Sequence, residues 1–320
     1  MARIEFNSLF ADELAAYLRH REVNGLNNSG ANAQMKRLDH FLATHCKDKR
    51  FTKEHADKWQ MKLPEESPGG HYIRINFSKR FFLYLFPQGY DIFLFDDVRN
   101  PPKTFSAHIY SSDEIRRYFS AVDTYDSGMN LYHKVQFPIL FRLLYCCGTR
   151  ITETLMIRKK DVDLEEGIIL LSETKNKKER YVVLSEGLLH LMRQFADKTF
   201  YRLHDEDYIF QNYKGKRLCR DPVYEAHRMI LVKAGIPYRG NGEGPRVHDW
   251  RHTFAVNAFK RMADSGMDMY VALPILSTYL GHSTIMATER YLKLTLELFP
   301  EIRDKMEKSM EEVFREADHA

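Results

Sequence analysis

Four cysteines in 320 residues, Cys46, Cys146, Cys147 and Cys219, include no Cys-x-x-Cys pair, so neither a zinc framework nor a disulfide scaffold is indicated. Buried reduced thiols are the expectation. No apolar run approaches the ~20 residues of a membrane helix. Arg3, Glu5 and Asn7 break up the first ten residues, where a secretory signal needs an uninterrupted apolar block. A cytoplasmic protein without membrane contact is expected. No Gly-x-x-x-x-Gly-Lys-Ser/Thr loop cradles nucleotide phosphates, no His-x-His pair occurs, and the acidic residues are scattered. ATP chemistry and a divalent-metal cage are therefore not expected, and no cofactor is assigned. No internal repeat or low-complexity segment is visible.

Excess charge of one sign is also scarce. A net +4 does not separate a DNA-binding protein from an ordinary basic enzyme, so position decides more than the total. Lys175, Lys177, Lys178 and Arg180 crowd one short segment, and Lys214, Lys216, Arg217 and Arg220 another. Either could meet a phosphate backbone, and solvated surface loops would account for both equally. The 44% hydrophobic and 13% aromatic content is ordinary for a globular chain. The length suggests about two domains.

The first part reads as helices over Leu9 to Leu18, Ala33 to Ala43 and Lys53 to Met61, with an Asn-rich Gly25 to Gly30 loop between the first two. A fourth follows Pro68-Gly69-Gly70. There Ile73, Phe77, Phe81 and Leu85 recur every four residues as an apolar stripe, while Arg74, Lys79 and Arg80 place charge elsewhere on the surface as candidates for DNA contact. The pattern dissolves from Asp91 through Asn100-Pro101-Pro102 and resumes at Ser111, which stands at capping-box spacing from Glu114. An N-terminal helical bundle over 1–105 and a second domain over 106–320 are predicted. The second carries helices at Ile115 to Val122 and Val135 to Cys147. A hairpin of Ile168 to Leu171 with Tyr181 to Leu184 follows, its turn polar and basic, and helices run from Gly187 to the end. The fold class is mainly α with a small antiparallel sheet.

Three separated clusters carry chemistry. Gly148-Thr149-Arg150-Ile151-Thr152-Glu153 follows an apolar run, where a glycine permits a tight turn and an arginine can project into a cleft. His248-Asp249-Trp250-Arg251-His252 sets His248 and Arg251 three apart, on one face of a helical turn. Leu280-Gly281-His282 precedes Tyr291 in Glu289-Arg290-Tyr291-Leu292. Each alone is weak, because a lone arginine, histidine or tyrosine is usually structural.

In this order the clusters resemble the tyrosine recombinases, whose catalytic domain carries Gly-x-Arg-x-x-Glu, a hairpin lysine, His-x-x-Arg, Leu-Gly-His and a late tyrosine. The resemblance covers Ser111 to about Lys293. The N-terminal part is similar to the family's core-binding domain in size, helicity and position. Carried over residue by residue, the resemblance implies an active site of Arg150, Lys175, His248, Arg251, His282 and Tyr291. The lysine segment has Thr174 and Asn176 where the family often has glycines. Aligning Lys178-Glu179-Arg180 with the family's Lys-x-Arg favours Lys175, and Lys177 is the alternative.

The residue types suit phosphoryl transfer without a metal. A tyrosine hydroxyl, with a pKa near ~10, needs a proton acceptor and positive surroundings; His248 could accept the proton. Two guanidinium forks, Arg150 and Arg251, match the equatorial oxygens of a five-coordinate phosphorus. A lysine on a hairpin can protonate the departing 5′ oxygen. His282 can donate a hydrogen bond to a non-bridging oxygen, and Glu153 is expected to fix arginine geometry. His252 is expected to face away from His248, and Tyr279, which precedes the Leu-Gly-His motif, to be a core residue. The implied function is site-specific recombination through a 3′-phosphotyrosine, serving integration, excision or resolution of mobile elements. The implied partners are double-stranded DNA with inverted half-sites and further copies of the chain, forming a tetramer on paired sites. A type IB topoisomerase is the enzymatic alternative, and a catalytically silent DNA-binding accessory protein the non-enzymatic one. Beyond Tyr291, Ile302, Met306, Met310 and Val313 lie at helical spacing, a stripe that docks either on its own domain or, as in the family, on a neighbouring protomer.

Overall fold

The computed structural model describes residues 5–102, 106–126, 131–172, 179–238, 240, 244–282, 284 and 286–302. The chain divides into two units, Met1–Phe105 and Ser106–Ala320. No helix among the described residues is long and apolar enough to cross a membrane.

The first unit holds α1 (Ala11–Val23), α2 (Ser29–His45), α3 (Lys53–Gln60) and α4 (Pro68–Leu85). Local chemistry starts the last two: Thr52 accepts from the His55 N–H, Ser67 accepts from the Gly70 N–H, and Pro68 opens α4 where its missing N–H costs nothing. The stripe expected on α4 is rotated. Phe81 and Leu85 are buried, but Ile73 is exposed, and Ile75, Ser78 and Phe82 line the core instead. Residues spaced by four advance 400° around a helix, so such a row drifts about 40° per step from a face set by 3.6 residues per turn.

Arg74, expected on the surface, lies on the buried side of α4. Its Nε and Nη2 donate to Glu66 at 2.9 and 2.7 Å, Nη2 also donates to the Met61 carbonyl, and Nη1 donates to the Trp59 carbonyl. The guanidinium's hydrogen bonds hold the Glu66 carboxyl down at about 2. Arg74 thus ties α4 to the end of α3, and is withdrawn as a DNA contact.

The second unit is mainly α with a small antiparallel sheet, as the sequence indicates. It holds α5 (Ser112–Asp123), α6 (Leu131–Cys146), α7 (Ile151–Leu155), β1 (Val162–Asp163), β2 (Ile168–Leu171), β3 (Arg180–Val183), α8 (Glu186–Thr199), α9 (Arg220–Lys233), α10 (Asp249–Asp264), α11 (Met269–Leu280) and α12 (Met286–Leu298). The Ser111 capping box forms in both directions, with Glu114 N–H donating to Ser111 Oγ and Ser111 N–H to Glu114 Oε2. The predicted hairpin pairs Ile168 with Val183 and Leu171 with Arg180. Its basic turn, with Lys175, Lys177 and Lys178, lies outside the described residues.

Two features depart from expectation. A short strand, β1, adds an antiparallel edge to β2. The stretch after α8 is not helical throughout: Gly215, at φ +70°, turns the chain so that Leu218 N–H donates to Phe210 O, and Gln211 bridges Arg217. Trp250 anchors the core of this unit, stacked on Tyr110 at 3.8 Å with Tyr118 at 4.6 Å.

Beside that stack, His227 is buried in a polar chain. Its Nε2–H donates to the Pro245 carbonyl, so Nδ1 accepts from the Tyr118 hydroxyl at 2.7 Å. Burial lowers its pKa to about 3. The folded value lies below the ~6.5 of an unfolded histidine, so the unfolded chain binds the extra proton between these limits. Stability from this group is complete above ~6.5 and declines as pH falls toward 3. His227→Gln supplies a donor and an acceptor but cannot titrate. Urea unfolding between pH 6.5 and 4 should show its pH slope reduced from the parent's by about 1.4 kcal/mol per pH unit; identical slopes would show that the imidazole is protonated in the fold.

Candidate active site

The Gly148-Thr149-Arg150 turn is built by steric demand. Gly148 has φ +59°, and a Cβ there would overlap the Phe254 ring on α10, so only glycine lets α6 end so close to α10. Thr149 and Thr154 share a buried hydroxyl–hydroxyl hydrogen bond at 2.6 Å, which fixes the turn against α7. Arg150 then stands at the N-cap of α7. Its backbone N–H donates to Glu153 Oε2, its Nη1 to Glu153 Oε1 at 2.5 Å, and its Nη2 to the Gly281 carbonyl at 3.4 Å.

Glu153 also receives Arg180 Nη2, from the start of β3, at 2.7 Å. Burial alone would raise its pKa, but the hydrogen bond and charge of Arg180, with the backbone and charge of Arg150, bring it down to about 2. The expectation that Glu153 orders an arginine is met twice over. Arg180 is the site residue that sequence reasoning passed over as one charge in a basic run. Its side chain is only 10% exposed, and a Cβ on Gly281 would crowd its Nη1 at 3.1 Å. The available signal was its place as the first residue of an alternating strand, immediately after the basic turn.

Arg251, in the first turn of α10, is fully buried. Its Nη1 donates to the Gly148 carbonyl and its Nη2 to the Leu280 carbonyl, both at 2.6 Å, and Nη2 also donates to His282 Nε2 at 3.1 Å. One guanidinium thus joins the ends of α6 and α11 to the start of α10. Burial, then the neighbouring charge of Arg150, lowers even its pKa to about 10. It remains a cation at neutral pH.

His282 follows Gly281, whose φ of +65° closes α11. Its Nδ1 lies 2.7 Å from the hydroxyl of buried Thr288. Burial and then the charges of Arg251, Arg150, Arg290 and Arg180 lower its pKa to about 3. The nitrogen facing Arg251 is an acceptor in this arrangement, so the donor role expected of His282 requires a change of hydrogen bonding. His248 caps α10. Surrounding protein, followed by Arg251, Arg290, Arg150 and Arg246, takes its pKa down to about 4. The residue as a whole remains exposed, so the guanidinium repulsion is the firmer cause. A neutral imidazole open to water can accept a proton.

Tyr291, on α12, is fully buried, its ring stacked at 5.9 Å from His282 and tilted at 5.3 Å from His252. Its hydroxyl has no hydrogen-bond partner among the described residues. His252 does not face away from His248: the rings lie 4.8 Å apart, because positions four apart share a helical face. Tyr279 is half-buried and stacks on Phe254. Five of the six predicted residues, Arg150, His248, Arg251, His282 and Tyr291, thus converge on one region. Lys175 lies outside the described residues.

The geometry and its relatives agree on the class. The phage integrase family model matches residues 110–297. An inferred integrase/recombinase of Sinorhizobium fredii is 28% identical over 218 residues, 66% of this chain and 69% of its own. One of Methanocaldococcus jannaschii is 31% identical over 163 residues, 49% of this chain and 46% of its own. The tyrosine recombinase XerC of Chlorobaculum parvum is 28% identical over 173 residues, 52% and 47% of the two chains. The chain thus spans about half the length of the latter two. Among solved structures, the XerH site-specific recombinase bound to a palindromic difH substrate superposes with a TM-score of 0.65 at 18% identity, over 85% of this chain and 77% of that one. The Tn1549 transposon integrase with transposon right end DNA superposes at 0.64 and 16% identity, over 90% and 98%. The fold is that of the tyrosine recombinases. The chain belongs to the phage integrase family.

Glu153 carries the most testable energetic consequence. Glu153→Gln removes the anion from two arginines, one of them largely buried, and breaking a buried ion pair from one side typically costs about 3–5 kcal/mol. Denaturant unfolding should show a loss of that order; a loss below about 1 kcal/mol would mean that water already satisfies both guanidiniums.

Proposed function

We propose that this chain is a site-specific recombinase that cuts and rejoins double-stranded DNA through a 3′-phosphotyrosine at Tyr291. The observation that carries the reading is the buried Arg251, whose guanidinium brings the Gly148 turn, the Leu280 carbonyl and His282 together beside the Tyr291 ring.

The chemistry follows from donor accounting. A guanidinium has five N–H bonds. Among the described residues Arg251 commits three of them, to Gly148, Leu280 and His282, which leaves one on Nη1 and the Nε–H for a phosphate oxygen. Arg150 commits two, to Glu153 and Gly281. Both cations can meet the charge that develops on the equatorial oxygens. The Tyr291 oxygen forms a bond to phosphorus as its proton passes to His248. The 5′ oxygen departs with a proton from Lys175, the general acid in this scheme. A free 5′ hydroxyl and a phosphotyrosine result, and the phosphodiester bond energy is kept for attack by a second DNA end. Burial of Tyr291 means that the ring must leave its place against His282 before it reacts.

Recombination further requires inverted half-sites and a tetramer on paired sites. The segment beyond α12 is our candidate for the link between protomers. Phe299 and Ile302 pack with Tyr291 in their own unit, so an informative truncation falls after them. Deleting 303–320 should spare binding to a single half-site while weakening cooperative filling of paired ones; unchanged cooperativity would place the tail in its own domain.

The direct test of the reading is covalent trapping. A nicked half-site should accumulate a protein–DNA adduct with the parent chain and none with Tyr291→Phe, which binds the same DNA. An adduct that persists in Tyr291→Phe would remove the nucleophile assignment. Arg150→Lys should bind with similar affinity and cleave roughly 10²–10³-fold more slowly, the usual effect of losing a preorganised oxyanion contact. Cleavage at the parental rate on saturated DNA would contradict it. For the leaving group, Lys175→Ala should cleave a 5′-bridging phosphorothiolate far better than the ordinary ester, since a thiolate departs without a proton; rescue confined to Lys177→Ala would move the role there.

A further inference from the structure

His282 meets a contradiction between its resting hydrogen bonds and its work. Arg251 Nη2 lies 3.1 Å from His282 Nε2 and can only donate, so Nε2 presents a lone pair in the free protein. The ring's proton is then on Nδ1, where it donates to the Thr288 hydroxyl 2.7 Å away. The reaction has His282 donate a hydrogen bond to a non-bridging phosphate oxygen, which also offers only lone pairs, and Nε2, the ring nitrogen beside Arg251, is the one that would meet it. Both arrangements cannot use one protonation state of the ring.

Two routes resolve this. Adding a proton would make an imidazolium among Arg251, Arg150, Arg290 and Arg180, the charges that already disfavour it. Moving the proton between nitrogens keeps the ring neutral, but whatever faces Nδ1 must then change from acceptor to donor. A main-chain carbonyl could not do so, and a main-chain N–H could not serve the resting state. A hydroxyl can do both, because it has one proton and two lone pairs and rotates freely. Thr288 is fully buried, so water does not substitute for it, and it stands one helical turn before Tyr291.

We propose that Thr288 is a positioning residue that lets His282 exchange ring tautomers, with Nε2 accepting from Arg251 in the free protein and donating to the scissile phosphate in the complex. As the phosphate enters, its oxygen takes over the Arg251 Nη2–H that His282 had accepted. The half-exposed ring takes one proton from solvent at Nε2 and returns the Nδ1 proton to solvent, so the exchange balances with no net change in charge. The Thr288 hydroxyl turns to donate to the vacated Nδ1. Arg251 thereby gains a donor for the phosphate at the same moment as His282 does. The proposal rests on the recombinase reading of the site.

Ring nitrogen spectra test it directly. Tyr291→Phe protein labelled with 15N at histidine is measured free and bound to a duplex that the protein itself selects from a random-sequence pool. The His282 signals are assigned by their loss in His282→Gln. The free protein should show a protonated Nδ1 and a bare Nε2, and the complex the reverse. A bound ring that keeps its proton on Nδ1, or one protonated at both nitrogens, overturns the proposal, as does a free ring already protonated at Nε2. Single-turnover cleavage of the same duplex at saturation gives a second readout. Thr288→Val, equal in shape but without the hydroxyl, should be slower by about tenfold, the scale of one neutral hydrogen bond. Thr288→Ser should remain within about threefold of the parent. A Val variant as fast as the parent, or a Ser variant as slow as Val, rejects the switch. Failure of the parent to form any covalent adduct would strike the recombinase reading alone, and the ring spectra, which need only binding, would still decide the role of Thr288.

Discussion

A guanidinium buried to 1% exposure needs protein acceptors for most of its N–H groups, and Arg251 finds three of them by drawing in segments far apart in the chain. The Gly148 carbonyl at the end of α6, the Leu280 carbonyl at the end of α11 and His282 beyond it all accept from it. Helix C-termini present unpaired carbonyls with partial negative charge, which makes them suitable partners for a buried cation. The same residue that closes the core therefore also determines where His282 and the Arg150 turn stand. A lysine could offer donors but not the planar fork that reaches two carbonyls on diverging helix ends.

The second constraint is the carboxylate of Glu153. Arg150, Arg180 and Arg251 place three guanidiniums in one region, and their mutual repulsion is offset there by this anion, which receives Arg150 and Arg180. Burial, with the remaining excess positive charge, keeps His248 and His282 neutral at ordinary pH. A neutral His248 can take a proton from a tyrosine, and a neutral His282 can choose its tautomer. Both functions follow from the same electrostatic surplus that would attract a phosphodiester. Tyr291 sits within this field with a buried hydroxyl that has no partner among the described residues, an arrangement that typically costs about 1–3 kcal/mol.

Much of this was legible because the motifs combine residue types with steric exceptions. Gly148 and Gly281 mark positive-φ turns, and Arg150 and His282 beside them enter the same cluster, Arg150 on the Gly281 carbonyl and His282 on Arg251. The hairpin and the Ser111 capping box were visible from alternation and spacing. What stayed hidden depends on partners distant in sequence. Arg74 resembled surface charge because Glu66 and the carbonyls of Trp59 and Met61, which accept from it, lie on a preceding segment. Arg180 looked like one of several basic residues because its partner Glu153 is 27 positions away. The edge strand β1 is only two residues long, too short for any periodicity to register. His252 was misplaced for a different reason: it was read as the residue next to Arg251 rather than as the residue four positions after His248, a spacing that puts the two rings on one helical face.

The central claim is that a single buried guanidinium holds the motif segments in one site. Hydrogen–deuterium exchange of Arg251→Met, compared with the parent at equal folded fraction, tests it most directly. The side chain keeps its bulk but loses every donor, so the Gly148 and Leu280 carbonyls are left unpaired. The amides of 147–151 and of 280–282 should exchange faster together, while α5 and α9, which Arg251 does not bond, should exchange as in the parent. Faster exchange confined to the first turn of α10, with the other two segments protected as before, would contradict the account.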